Sequence, residues 1–213
     1  MSTLLLHGRR RHLATLLTVM ALITCVRLSA VAQQLRVRIQ LAPETSRVVI
    51  DGSCAPNAHW SFPDSYAGVL GLGNRVERFT ALDESGAEIS TRKLAPGQFD
   101  SATSASHFRY EVNLAPRLSG SDAARVSWLN KQRGLLMLGD LLPIISGQNP
   151  RDTAASVQFQ SPDTWSVQSN YQEHPQAAVT VSDIDGAVFA VGSRSANFPV
   201  DGIGHELSAD YGR

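Results

Sequence analysis

The sequence predicts a mainly all-β protein, an antiparallel β-sandwich-like or open β-sheet domain with little helix. Three observations carry this. Apolar residues recur with period two in segment after segment, turn sequences separate those segments, and helical periodicity is scarce beyond residue 32. Successive side chains of a strand point to opposite faces, so alternation marks a strand with one buried and one wet face.

The segment before the first strand is of another kind. Arg9, Arg10 and Arg11 precede an apolar stretch from Leu13 to Val26, and Ala30-Val31-Ala32 comes after it. A basic region, a short apolar region and a small-x-small site in that order make a secretory signal. The apolar run falls short of the roughly 20 residues that a membrane span needs. Arg10-Arg11-His12-Leu13 has a weak twin-arginine character. Leu22-Ile23-Thr24-Cys25 is a poor lipid-attachment sequence, because small residues normally precede the modified cysteine. The expectation is a signal peptide over 1–32, cleavage before Gln33, a secreted or periplasmic product, and one β-rich domain over 33–213 with no membrane span.

Strands come next, in order. Every second residue is apolar in Leu35-Arg36-Val37-Arg38-Ile39-Gln40-Leu41. Arg75–Leu82 and Glu88–Leu94 flank Asp83-Glu84-Ser85-Gly86, a turn sequence suited to a hairpin. His107–Leu114 alternates again and places Phe108, Tyr110, Val112 and Leu114 on one face. Shorter alternations hold Val126 with Trp128, Val157 with Phe159, Trp165 with Val167, and Val179 with Val181. Ala187–Val191 is apolar throughout and reads as a central strand, while Leu135–Leu142 fits either a helical turn or a pair of strands. Asp51-Gly52, Gly71–Asn74, Ala95-Pro96-Gly97, Ser119-Gly120, Gly147–Pro150 and Asp185-Gly186 supply the turns.

Charge and cysteine content narrow the function. The whole chain has 19 basic and 19 acidic residues. The signal carries four of the arginines and no acid, leaving 15 basic against 19 acidic residues and a net charge of −4. That balance argues against nucleic acid as a partner. Cys25 leaves with the signal, so Cys54 is the lone remaining cysteine and no intramolecular disulfide forms. An apolar core must hold the fold, and Cys54 is expected inside it.

The candidate chemical motifs are incomplete. His205-Glu206 starts a zinc-helix pattern, but Ala209 stands where H-E-x-x-H needs its second histidine. Asp183-Ile184-Asp185-Gly186 opens like a calcium loop, but position twelve is Arg194 rather than a glutamate, so a hairpin turn is expected. Gly71-Leu72-Gly73-Asn74 lacks the third glycine of a dinucleotide site and reads as a turn between strands. No G-x-S-x-G elbow occurs. His59, His107 and His174 lie in separate segments without ligand spacing and read as ordinary histidines. Trp60, Trp128 and Trp165, with Tyr66, Tyr110 and Tyr171, have the flat faces of a sugar platform, yet alternating strands make core packing the default for Trp128 and Trp165. No catalytic, cofactor-binding or metal-ligating residue is assigned.

With these segments in order, the chain resembles the N-terminal β-domain of the secreted glycyl aminopeptidases, gluzincin zinc metallopeptidases that often carry a PDZ domain. The resemblance rests on the extended opening strand Leu35–Leu41, the segment Trp60-Ser61-Phe62-Pro63-Asp64-Ser65-Tyr66, the D-x-x-G hairpin at Asp83–Gly86, and Pro162-Asp163-Thr164-Trp165. It runs over residues 35–195. Thr164 stands where the family usually has glycine, and Ser161 where it often has leucine. The family's zinc helix belongs to a later domain, so the resemblance implies no metal ligand here. It implies a non-catalytic domain that packs beside a catalytic domain in cis and shapes its cleft. Alternatives are a stand-alone exported module that binds glycans or peptides, and an envelope structural protein.

Overall fold

The computed structural model describes residues 35–116, 125–145, 153–169 and 178–193. The signal segment, the turns at Ser119-Gly120 and Gly147–Pro150, Tyr171, His174, Arg194 and His205-Glu206 lie outside the described residues.

Fourteen strands and one α-helical turn succeed one another among the described residues, with 3-10 turns at Pro43–Thr45 and Leu72–Arg75: β1 (Leu35–Ala42), β2 (Arg47–Ser61), β3 (Ser65–Tyr66), β4 (Val69–Leu70), β5 (Val76–Leu82), β6 (Glu88–Ile89), β7 (Thr91–Ala95), β8 (Gln98–Asn113), β9 (Trp128–Leu129), β10 (Arg133–Met137), α1 (Leu138–Leu141), β11 (Ala155–Gln160), β12 (Trp165–Ser169), β13 (Val179–Val181) and β14 (Val188–Ser193). The mainly all-β expectation holds. A large sheet has the order β13-β11-β1-β2-β8-β5-β6, with β7 on β8; a second has the order β12-β14-β10-β9; β3 and β4 form a separate hairpin. Among the described residues all pairings are antiparallel except β1 with β11, which sets Val37 beside Val157 and Ile39 beside Phe159. No described helix is long and apolar enough to cross a membrane.

Alternation builds the core. On β1, Leu35, Val37, Ile39 and Leu41 are buried while Arg36, Arg38 and Gln40 are exposed. On β8, Phe108, Tyr110, Val112 and Leu114 are buried, as their shared face predicts. The second sheet adds Leu136, Phe189 and Val191 to the same core cluster. Trp60, Phe62, Phe79, Phe99, Phe108 and Tyr110 interlock with ring centroids 4.7–6.5 Å apart. Such ring pairs add about 0.5–1.5 kcal/mol each beyond the area they bury.

β2 is the irregular member. Its register against β8 shifts between Ser53 and Asn57 and again before His59. Pro56 falls inside the first shift, where its missing N–H costs no ladder bond. Before it, Gly52 lies against the Phe108 ring so closely that a Cβ there would overlap the ring. Cys54 is buried, and burial pushes its thiol up to about 11.

Three local expectations are refined. The Leu135–Leu142 run holds both alternatives in series, the end of β10 and then α1. The Asp83–Gly86 turn does close a hairpin, with Asp83 Oδ1 accepting from the backbone of Ser85 and Ala87 and from Ser85 Oγ. Those bonds, the Ser85 hydroxyl first, hold the Asp83 carboxyl below its ordinary range. The second arm divides, however: Glu88–Ile89 pairs with β5, while Thr91–Ala95 pairs with β8. The third concerns Asp183–Gly186, which is a turn but not a hairpin. β13 pairs with β11 in the large sheet, whereas β14 lies between β12 and β10 in the other, so the turn carries the chain between sheets. Asp183 Oδ1 accepts from Gly186 N at 3.1 Å, a local bond that fixes the turn and leaves the pairing of its flanks open.

Candidate functional site

An open recess of about 190 Å³ is lined mainly by apolar side chains from four separate chain segments. Pro63, Ser65 and Tyr66 enter from the end of β2 and from β3; Gly139 and Leu142–Ile145 from α1 and the stretch just after it; Thr153 from before β11; Ile184 and Asp185 from the turn before β14. Of the lining residues, Leu142, Ile184 and Thr153 are buried. Ile144 is 38% exposed at its rim.

Each wall has a local cause. Tyr66-Ala67-Gly68-Val69 turns through two consecutive left-handed residues, Ala67 at φ 46° and Gly68 at φ 82°. Two residues of positive φ make the tight hairpin turn that matches strand twist. The turn projects β4, and Leu70 on it is 72% exposed. Tyr66 Oη donates to the Asp185 carbonyl at 2.6 Å, closing one side. Gly139 permits that closure. A Cβ there would lie 2.6 Å from Tyr66 Cε2 and 2.8 Å from Asp185 Oδ1. Ile144 N donates to Ser61 O at 2.8 Å, pinning the opposite wall to the end of β2.

Beneath the recess lies a buried polar knot. Asp140, on α1, has a side chain with no solvent exposure. Its Oδ1 accepts from Ser127 Oγ and its Oδ2 from Ser127 N, both at 2.6 Å. Arg75 lies 3.4 Å from Oδ2 and donates to the carbonyls of Ser127 and Asp140. Met137 N donates to Ser127 Oγ at 2.7 Å. Burial pushes the Asp140 carboxyl above its ordinary range, and the Arg75 charge and the Ser127 bonds offset this only in part. Tyr110 Oη adds a bond to Leu141 O at 2.9 Å. Together these hold α1, and with it Gly139 and Leu142, in place.

The recess suits packing more than bond-making. It presents apolar surface, the Ser65 and Thr153 side chains, one tyrosine hydroxyl committed to a carbonyl, and one carboxylate. No group of three or more His, Cys, Asp or Glu that could hold a metal occurs among the described residues. His59 is 82% exposed on its side chain, with Nδ1 2.8 Å from Asp100 Oδ1. His107 is exposed on β8, with Nδ1 3.1 Å from Ser106 Oγ. The aromatic candidates do not share a platform: Trp60, Trp165 and Tyr110 are buried, Trp128 is half-buried, and Tyr66 alone of them lines the recess. Gly71–Asn74 is a turn between β4 and β5, with Gly71 at φ 75° and Gly73 against the Pro96 carbonyl. Pattern reading singled out Tyr66 and, as a turn, Asp183–Gly186, but missed Gly139, Asp140 and Ser127, whose association depends on tertiary contacts between distant segments.

Comparison with known proteins adds the family. Residues 28–185 match the Peptidase M61 N-terminal domain. The chain belongs to that family. No curated protein matches it. Among solved structures, the M61 N-terminal domain is similar to an aminopeptidase N family protein from Idiomarina loihiensis, at 14% identity and a TM-score of 0.62. That alignment covers 75% of this chain and 29% of the other. An M1 zinc metallopeptidase from Deinococcus radiodurans aligns at 11% identity and a TM-score of 0.40, covering 76% of this chain and 42% of its own. This M61 N-terminal domain thus spans less than half the length of either structure. The Idiomarina alignment supports the shared fold, and the expected metallopeptidase N-terminal domain stands at that level.

Proposed function

We propose that this domain is the non-catalytic N-terminal part of a secreted zinc aminopeptidase-like protein, and that it packs beside a catalytic domain in cis and shapes the cleft there. The observation that carries the reading is the family match over residues 28–185. The recess and the β3–β4 hairpin are the surface best suited to that packing: a mainly apolar lining, an exposed Ile144 and an exposed Leu70 on β4. Burying exposed apolar side chains at about 25 cal/mol per Å² is what favours such an interface. The finer identity, a glycyl-preferring enzyme with a PDZ domain, rests on the sequence resemblance. Export with cleavage before Gln33 rests on the signal-like residues 1–32.

Zinc chemistry needs several protein ligands around the metal and an open position for water. The sequence contains no complete H-E-x-x-H. Purified residues 33–213 should therefore hold no stoichiometric zinc and release no product from glycyl anilides. Adding an M61 catalytic domain made separately should yield a complex on size-exclusion chromatography, weakened by Leu70→Asp with Ile144→Asp. Chelator-sensitive turnover by residues 33–213 alone, lost on His205→Ala, would overturn the non-catalytic reading. Failure of the two domains to associate would overturn the packing reading.

A further inference from the structure

The wet face of the large sheet has an uneven charge distribution. Two cross-strand rows define it near the start of β1. One runs Gln158, Arg38, Asp51, Arg109, Thr80 across β11, β1, β2, β8 and β5; the next runs Ser156, Arg36, Ser53, His107, Leu82. Toward the end of β1 the face is balanced. Arg47 pairs with Glu77 and Glu111, and Arg78 pairs with Glu111 at 2.7 Å. Near its start the balance is lost. From β11 to β8 Asp51 is the one carboxylate in the two rows, and it lies 3.4 Å from Arg109; the next carboxylate, Glu88 opposite Leu82 on β6, stands at the far edge of the sheet. Arg36 and Arg38 are exposed, and no carboxylate among the described residues pairs with them. Three guanidinium groups thus face one carboxylate, with Ser53, Ser156 and Gln158 around them.

Arg36 and Arg38 stand two residues apart on one strand, about 7 Å along it. β1 is hydrogen-bonded on both sides, to β11 and to β2, so its backbone offers a partner nothing. Recognition there must run through side chains alone, which disfavours an extended peptide seeking a free strand edge. The large exposed apolar residues, Leu70, Leu94 and Ile144, all lie outside β1, β2 and β11, so these rows lack an anchor for a lipid surface. Charge complementarity with the arginines, and the hydroxyl and amide groups of Ser53, Ser156 and Gln158 beside them, favour a partner with its own carboxylates and hydroxyls. Guanidinium groups take carboxylates in bidentate pairs, and Ser and Gln side chains both donate to and accept from hydroxyls. The acidic balance gives no long-range attraction for a polyanion, so association must rest on the local field of these three arginines.

We propose that this face docks a carboxylated polysaccharide, with Arg36, Arg38 and Arg109 holding its carboxylates and Ser53, Ser156 and Gln158 its hydroxyls. It is a different surface from the recess and stands independently of the peptidase reading. The full chain should bind polygalacturonate in titration calorimetry at low salt and not bind neutral dextran. Raising salt from about 10 mM to about 300 mM should weaken binding at least tenfold, because exposed charges are screened. Arg36→Gln with Arg38→Gln should cost about tenfold in affinity while leaving the melting temperature within about 2 °C, as expected for exposed sites. Arg78→Gln, on the same face among balanced charges, should change affinity by less than about twofold. Asp51→Asn, which frees Arg109, should tighten binding and gives a gain-of-function check should the double variant fold poorly. Unchanged binding in the double variant, equal binding to neutral dextran, or tighter binding to polyglutamate or to anionic phospholipid vesicles would each overturn the proposal.

Discussion

Ser127 and Asp140 are joined twice: the backbone N–H and the hydroxyl of Ser127 each donate at 2.6 Å to a different oxygen of a carboxylate that no solvent reaches. Arg75 completes the group from the other side at 3.4 Å. Removing the carboxylate leaves a mostly buried guanidinium and two buried donors without their acceptor. Asp140→Ala should therefore cost about 3–5 kcal/mol in urea unfolding, the penalty for breaking a buried pair. A loss no larger than that of an exposed site would show that the knot carries little of the stability.

The same carboxylate should leave a mark on the pH profile. Burial raises its folded-state pKa above the ordinary 3.8. Between the two values the folded state holds the proton and the unfolded state has lost it. Stability from this group is thus fully present below about pH 3.8 and is lost as pH rises through the folded value. Asp140→Asn cannot titrate. The stability of the natural protein relative to that variant should fall with rising pH just above 4, in urea melts at matched salt. A relative stability that rises there would mean that Arg75 and Ser127 outweigh burial.

Core and surface on β8 should separate cleanly. Phe108 is 1% exposed and meets Trp60 edge-on with centroids 5.3 Å apart. Phe108→Ala should cost about 3–5 kcal/mol. Arg109, its neighbour on the wet face, is half-exposed and pairs with Asp51 across the ladder at 3.4 Å. Arg109→Ala should cost no more than about 1 kcal/mol, the upper range for exposed pairs. Similar small losses for both would mean that this face of β8 is not packed.

Those two residues also show how far the sequence carries. Alternation on β1 and on the His107–Asn113 part of β8 is strict, and burial tracks it there, because one face of each segment meets the core. β2 breaks the rule over Gly52–Asn57, where Pro56 and a bulge interrupt the ladder, so period two is lost inside a continuous strand. The parallel pairing of β1 with β11 joins segments more than a hundred residues apart and leaves no local signal. For the same reason the recess was illegible: its four walls meet only in the folded chain. Tyr66 stands out as an aromatic, Pro63 and Ser65 as part of the segment behind the family resemblance, and Ile184 and Asp185 as part of a turn, but nothing local brings them together. Asp183–Gly186 announced a turn correctly but not which strands it serves, since an Asp-to-backbone bond is local and sheet membership is not.

Cys54 should be inert while the protein is folded. It is 1% exposed, and its thiol sits near 11 through desolvation. The thiolate is the reactive species, and little of it exists at pH 8 at such a value. Modification by a chromogenic disulfide reagent should be slow in buffer and complete within minutes in concentrated urea. Rapid labelling of the native protein would show that β2 opens around its bulge.

Gly139 should prove indispensable to the recess, for a reason that a second substitution can isolate. Its missing Cβ leaves room for the Tyr66 ring, which would otherwise lie 2.6 Å away, and for the Asp185 side chain and Cα, at 2.8 and 3.1 Å. Gly139→Ala should destabilise by about 1–3 kcal/mol, as overpacking usually does. Trimming Tyr66 removes one of these contacts but not the backbone one. In the Gly139→Ala background, Tyr66→Ala should therefore cost less than it does alone, without restoring natural stability. Tyr66→Phe tests the other half of the arrangement. It keeps the ring and removes the 2.6 Å bond to the Asp185 carbonyl, for a loss of about 1 kcal/mol. A double-mutant cycle over Gly139 and Tyr66 measures the coupling directly, because the two are in contact. Strict additivity would mean that the ring does not lean on α1 and that the wall of the recess is held by the polar knot alone.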